Sequence, residues 1–146
     1  MICREPIIWN NRSEDVFKAV RELRVEFDYK FIDNRFGIGR NGVRERAWGR
    51  GIGGHFDLTT LRSSDCKCRG KDGIVDVSIF SIKCTPSMKM DAYSVHLILR
   101  KADDTFIPGP ASRCNCPVGR LFCSHLLAFV VLLGIIQMLE DEEDYD

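Results

Sequence analysis

The sequence lacks the segments that carry a chain into or across a membrane. Its first residues, MICREPIIWNNRSEDVF, contain no apolar core and no small-residue cleavage site, so we expect no signal peptide. The most apolar run, Leu121–Leu139, is broken by polar residues. Its uninterrupted part, Leu126–Ile136, is shorter than the roughly 20 residues that span a bilayer. We therefore predict a buried core helix at this position and no membrane partner.

Histidine is scarce, with three residues in 146, and cysteine occurs in an odd number, seven. Two pairs of cysteines are separated by a single residue, which is too close for an easy disulfide. This usage indicates a reducing compartment, in which thiols bind metal or stay reduced. We expect an intracellular protein, either nuclear or cytoplasmic.

The chain has no net charge, yet its charges are segregated along the sequence. Residues 35–50 contain five arginines and one glutamate, whereas residues 140–146 contain six acidic residues and no base. Arginines beside aromatic side chains can neutralise phosphates and stack on bases, but a solvated basic linker has the same composition. The candidate nucleic-acid contacts are Arg35, Arg40, Arg44, Arg46, Trp48 and Arg50.

Apolar periodicity predicts an α+β fold. Ser13 is expected to cap a helix that runs to about Lys30, because apolar residues recur at intervals of three and four. Alternation predicts antiparallel strands over 74–84 and 93–100 and a short third strand from about 105, before the apolar helix 124–139. The expected divisions are an N-terminal helical segment, 1–33; a Gly- and Arg-rich loop or linker, 34–54; a small sheet with a cysteine-rich knuckle and helix, 55–139; and an acidic tail, 140–146.

Cysteine and histidine are concentrated in the stretch CNCPVGRLFCSH, which holds three cysteines and one histidine in twelve residues. Cys114 and Cys116 are two residues apart, so on an extended segment both sulfurs project from the same face. Cys123 and His125 follow after six residues, enough to reverse the chain, at the expected start of the apolar helix. Three thiolates and one imidazole form a closed tetrahedral set that is typical of structural zinc.

Three other interpretations of this stretch compete with zinc. A catalytic Cys–His pair needs one thiolate and one base, which leaves two cysteines without a role. A redox disulfide favours the spacing C-x-x-C, which this cluster does not have. The cysteines could also be small, buried apolar residues. Zinc is favoured because it alone uses all four side chains.

The same stretch resembles the SWIM zinc finger. The start Cys114-Asn-Cys116-Pro-Val-Gly119 and the helix opening Cys123-Ser-His125-Leu-Leu-Ala128 match that family's pattern, and the likeness covers roughly residues 74–139. The segments Pro86-Ser-Met-Lys89 and Tyr93-Ser-Val95 look like the lead-in of a subgroup of mobile-element-like proteins. In that subgroup the domain often precedes a lambda-exonuclease-like (YqaJ-type) nuclease.

The resemblance implies a small ββα zinc module with its core at about residues 93–139, one structural Zn²⁺ and no catalytic activity. Such modules bind DNA or other proteins. We therefore expect a non-enzymatic interaction module that binds DNA or a partner protein and takes no small-molecule substrate. The alternatives are an accessory domain of a larger transposase or nuclease whose catalytic part is absent, and a protein–protein adaptor that does not contact nucleic acid.

Two further expectations concern a second metal site and the surface of the apolar helix. Cys66 and Cys68, with His55 and Cys84, could form a second metal site at irregular spacing, or could be thiols without a metal. The helix 124–139 is apolar on every side, and three short strands would leave part of it uncovered. This indicates either that the chain is a fragment of a larger protein or that a partner domain packs on the helix.

Overall fold

The computed structural model describes residues 2–3, 7–28, 30–31, 56–70, 73–84, 93–103, 105–106, 113–114 and 124–139. Within these ranges the fold is α+β, as the periodicity predicts. The predicted strands over 74–84 and 93–100 and the C-terminal helix are confirmed, each to within one residue at either end. In chain order the elements are β1 (Ile2–Cys3), α1 (Ser13–Arg21), β2 (Phe56–Gly70), β3 (Gly73–Cys84), β4 (Tyr93–Arg100), β5 (Thr105–Phe106), β6 (Arg113–Cys114) and α2 (Ser124–Met138).

The described strands form one antiparallel sheet in the order β1-β2-β3-β4-β5. The short strand β6 also pairs with β4, so β5 and β6 share one edge of that strand. β5 lies opposite Leu99 and Arg100, whereas β6 lies opposite Val95 and His96. The edge strand that leads into the first cysteine is therefore built from two separate two-residue pieces.

β2 is the longest strand, with 15 residues, and no sequence pattern predicted it. Its register with β3 shifts near its start, which marks a bulge, and there Thr60 Oγ accepts a hydrogen bond from Lys83 N at 2.9 Å. Further along, Ser64 Oγ donates to the Ile8 carbonyl at 2.8 Å. Polar side chains, bonded to distant parts of the chain, thus stand where an amphipathic strand normally shows apolar residues, and they hide the period of two.

α1 differs from the prediction at both ends. It ends at Arg21 and not near Lys30. At its start, Ser13 is the first helical residue and Arg12 holds the cap position without a side-chain hydrogen bond, so the prediction that Ser13 caps the helix is wrong. A side chain of α2 accounts for the early end.

That side chain is Gln137, which supplies the hydrogen bonds that a longer α1 would make. Its Oε1 accepts from Phe27 N at 2.9 Å, and its Nε2 donates to the carbonyls of Val25 at 2.8 Å and Val20 at 3.3 Å. Gln137 and Phe27 are 110 residues apart in the chain. A long-range contact thus replaces the local helical bonds, and local periodicity cannot detect it.

We expect Gln137→Ala to lower the free energy of unfolding by about 2 kcal/mol, because Phe27 N and the Val25 carbonyl lose their partner in a partly buried position, whereas the Val20 carbonyl keeps Leu23 N. Denaturation in urea measures this loss. Met138→Ala, at the exposed next position of the same helix, is the matched control and should cost less than about 0.5 kcal/mol. Equal losses in the two variants would contradict the bonding role of Gln137.

The main core lies between one face of the sheet and the helices. Val95, Leu97 and Leu99 alternate along β4 and are fully buried. α2 contacts α1, β4 and β6, and its residues 126–134 are all buried. The chain itself therefore covers this part of the helix, and the expectation of a partner domain over it is wrong. Across the described ranges, neither helix has the length and apolar character that crossing a bilayer requires.

Candidate metal centre

Two of the four predicted zinc ligands belong to elements that meet at one end of β4. Cys114 ends β6, where the register places it opposite Val95 and places Arg113 opposite His96. Because the two strands are antiparallel, β6 is directed towards Tyr93, the first residue of β4. Backbone pairing therefore fixes the first cysteine of the C-x-C pair at the edge of the sheet.

His125 reaches the same end of β4 from α2. It is the second residue of that helix and its side chain is half-buried. Its ring lies against Tyr93, with ring centroids 5.3 Å apart and planes inclined at 57°. Tyr93 is two positions from Val95, which is roughly 7 Å along a strand. The end of β6 and the first turn of α2 thus meet at one place, as a shared ion requires.

Among the described residues, Tyr93 is a neighbour of His125 that spacing arguments missed. Its ring packs against His125 and restricts how the imidazole can turn. Positioning of this kind by groups around a metal ligand is typical of zinc sites. In the sequence, Tyr93 stands out only as part of the segment that resembles the start of the SWIM domain. That resemblance does not predict a contact with His125.

The start of α2 favours anionic ligands. The exposed N–H groups of a first helical turn carry about half a positive charge, and no acidic residue in the first turn of α2 offsets it. Thiolates near a helix N-terminus are stabilised by this field. The described backbone at this end of β4 therefore suits cysteine ligands better than neutral ones.

The other predicted site residues lie outside the described residues, and Cys114 is described by its backbone alone. Among the described side chains, no group of three or more His, Cys, Asp or Glu residues is arranged to hold a metal. The four-ligand zinc site stays a prediction. The described geometry is compatible with it at two positions, the backbone of Cys114 and the side chain of His125. The residues outside are Cys116, Cys123, Arg35, Arg40, Arg44, Arg46, Trp48, Arg50 and the acidic tail 140–146.

The second metal site that the sequence suggested, with Cys66, Cys68 and Cys84 around one ion, is not formed. Cys66 pairs with Val77 in the β2–β3 register, and Cys84 lies seven positions further along β3. Seven positions correspond to about 23 Å of strand. Cys84 belongs to the main core, whereas Cys68 belongs to a separate cluster. Cys84 therefore cannot share an ion with Cys66 and Cys68, and His55 lies outside the described residues.

Comparisons with protein-family models, with curated proteins and with solved structures found no match. The resemblance to the SWIM zinc finger therefore rests on the residues of this chain alone. No ligand, activity or partner is carried to it from a relative.

Proposed function

We propose that the chain is a non-enzymatic interaction module built around one structural zinc ion, with DNA or a partner protein as its target. One observation supports this proposal more than any other. The spacing C-x-C, six residues, C-x-H predicts that a strand end and a helix start share an ion, and Cys114 and His125 stand on such elements at one end of β4. Cys116 and Cys123 would complete the ligand set.

A bound zinc ion would act as a cross-link between β6 and α2. β6 has two residues and pairs with β4 through two positions, so it has little stability of its own. A closed four-ligand set leaves no open position for water or substrate, which is why we propose binding and not catalysis. Tyr93 holds the His125 ring in place for this role.

DNA is the favoured target because of the basic segment 35–50. Five arginines and one glutamate in this segment can neutralise phosphates, and Trp48 can stack on an unpaired base. Binding of this kind suits an accessory domain of a larger transposase or nuclease, in which another domain supplies the chemistry. It equally suits a module that acts alone.

The proposal predicts DNA binding that weakens steeply as salt increases. Each neutralised phosphate contributes about 0.9 to the slope of log affinity against log salt. Replacing Arg44 and Arg46 with alanine together should therefore reduce the slope by about 1.8 if both contact phosphates. Fluorescence anisotropy of labelled single-stranded and duplex oligonucleotides between low and moderate salt measures both quantities.

The matched control removes two positive charges from a part of the chain that the structure describes as exposed. Arg12 and Lys18 lie on or beside α1 and are largely exposed. Their double replacement with alanine should leave the slope unchanged. A flat salt response of the zinc-loaded protein would contradict DNA as the target and favour an adaptor that binds another protein.

A further inference from the structure

A second cysteine cluster lies on the face of the sheet that points away from the main core. Cys66 and Cys68 are two positions apart on β2 and so share one face. Their sulfurs are 3.2 Å apart. Cys68 is buried and Cys66 is half-buried, in an apolar cluster that is separate from the main core. This leaves Cys66 as the accessible side of the pair.

The separation of the two sulfurs fits a shared ion better than a disulfide. A disulfide bond is about 2.05 Å long and usually joins α-carbons no more than about 6.8 Å apart. Positions two apart on one strand already reach roughly that limit. Two sulfurs that share one three-coordinate metal ion, each at the roughly 2.3 Å typical of a metal–thiolate bond, are about 4.0 Å apart, and side-chain rotations bring the observed pair to such a distance.

The sheet register brings a third cysteine position to this pair. β1 pairs with β2 so that Cys3 stands opposite Cys68 and Ile2 stands opposite Arg69. Residues directly opposite each other in an antiparallel pair have α-carbons about 4.5 to 5.5 Å apart. Three of the seven cysteines therefore occupy adjacent positions on two strands, although Cys3 is more than sixty residues from the other two.

The surroundings of the pair favour a soft ion of low charge. The pair belongs to a hydrophobic cluster that supplies apolar neighbours, and among the described side chains no group of three or more His, Cys, Asp or Glu residues is arranged to hold a metal. Zinc demands four ligands, whereas Cu(I) is stable with two or three thiolates and is selected by soft ligands. The neighbours are Ile7, Trp9, Val75, Val77, Ile79 and Ile98.

We propose that Cys66 and Cys68, with Cys3 at the register position opposite Cys68, form a thiolate site for Cu(I) that is independent of the predicted zinc centre. Binding exchanges the thiol protons for the metal ion, and neither the metal nor sulfur changes oxidation state. Trp9 packs against the cluster, so copper in this site quenches its fluorescence. The proposal uses none of the zinc ligands and does not depend on the proposed function.

The test titrates the zinc-loaded full chain with Cu(I), under reducing and oxygen-free conditions, in competition with a Cu(I)-selective chelator. We expect one Cu(I) per chain with no zinc released. Cys66→Ser combined with Cys68→Ser should weaken binding by more than the roughly 100-fold that loss of an outer-shell partner costs at a metal site. Cys84→Ala, which removes a buried thiol about 23 Å along the sheet, should leave the affinity unchanged. Circular dichroism checks that each variant is folded.

Five results would overturn the proposal. The first is equal Cu(I) affinity in the double variant and the parent protein. The second is copper binding that only accompanies zinc release, which would place the ion at the zinc ligands. The third is a disulfide between Cys3 and Cys68 in the reduced preparation, and the fourth is preferential binding of Zn²⁺ by the pair. The fifth is unchanged affinity in Cys3→Ser, a variant that should weaken the site because Cys3 is one of its proposed thiolates.

Discussion

Gly134→Ala is expected to destabilise the protein by about 2 to 3 kcal/mol, although alanine is the better helix former by about 1 kcal/mol. Gly134 lies in α2 where the helix passes the backbone of Phe27. A β-carbon at this position would stand 2.3 Å from the Phe27 carbonyl oxygen and 3.3 Å from its carbonyl carbon. Because the obstacle is backbone, the segment after α1 would have to move away from α2.

The displacement would also weaken the hydrogen bonds of Gln137, since Phe27 N donates to that side chain. Urea denaturation of the variant and the parent protein measures the loss. Met138→Ala is again the control, because it changes an exposed position four residues away in the same helix. A variant as stable as the parent, or more stable, would show that the helix is not held this close to Phe27.

Loss of zinc is expected to have the largest effect, because structural zinc binds with about 10 kcal/mol or more, comparable with the whole stability of a domain. Cys116→Ser, or a strong chelator, should therefore abolish the cooperative unfolding transition. Apart from its contact with α2, β6 is held by two backbone positions on β4, so that strand is weakly held once the ion is lost. Circular dichroism on heating, with and without chelator, measures the change. An unfolding transition that a chelator does not shift would contradict the proposal that zinc cross-links β6 and α2.

Some of the fold could be predicted because its determinants are local. β4 alternates strictly, and its apolar face, Val95 to Leu99, is the buried face. α2 contains one uninterrupted apolar run, Leu126–Ile136, which begins three residues after the last cysteine of the cluster. In both elements the residues that decide the structure are neighbours in the sequence, so periodicity identifies the element and its buried side.

The features that sequence reasoning missed depend on distant partners. α1 ends early because Gln137 bonds the backbone after it. β2 was missed because polar residues stand at buried positions of the strand, so the sequence shows no apolar period. Ser64 is one of them, and its partner is the carbonyl of Ile8 in the N-terminal segment. The meeting of Cys3 with Cys68 follows from strand register, and no spacing rule predicts it. Each of these depends on which strands and helices become neighbours.

The candidate zinc site lies between these two cases. The spacing of its ligands predicted that a strand end and a helix start come together, and the described parts of β6 and α2 do so beside Tyr93. The contact between Tyr93 and His125 could not be predicted, because it depends on how α2 packs across the start of β4. Ligand type is thus encoded locally, whereas the position of the ligands is set by the fold.

The most direct test of the proposed zinc cross-link is elemental analysis of the purified chain together with its variants. We predict one zinc ion per chain in the parent protein and in Cys84→Ala, and none in Cys116→Ser or His125→Ala. Replacement of the zinc by Co²⁺ should give the absorption of a tetrahedral site with cysteine and histidine ligands. A parent protein that holds no zinc, or a Cys116→Ser variant that keeps it, would contradict the account.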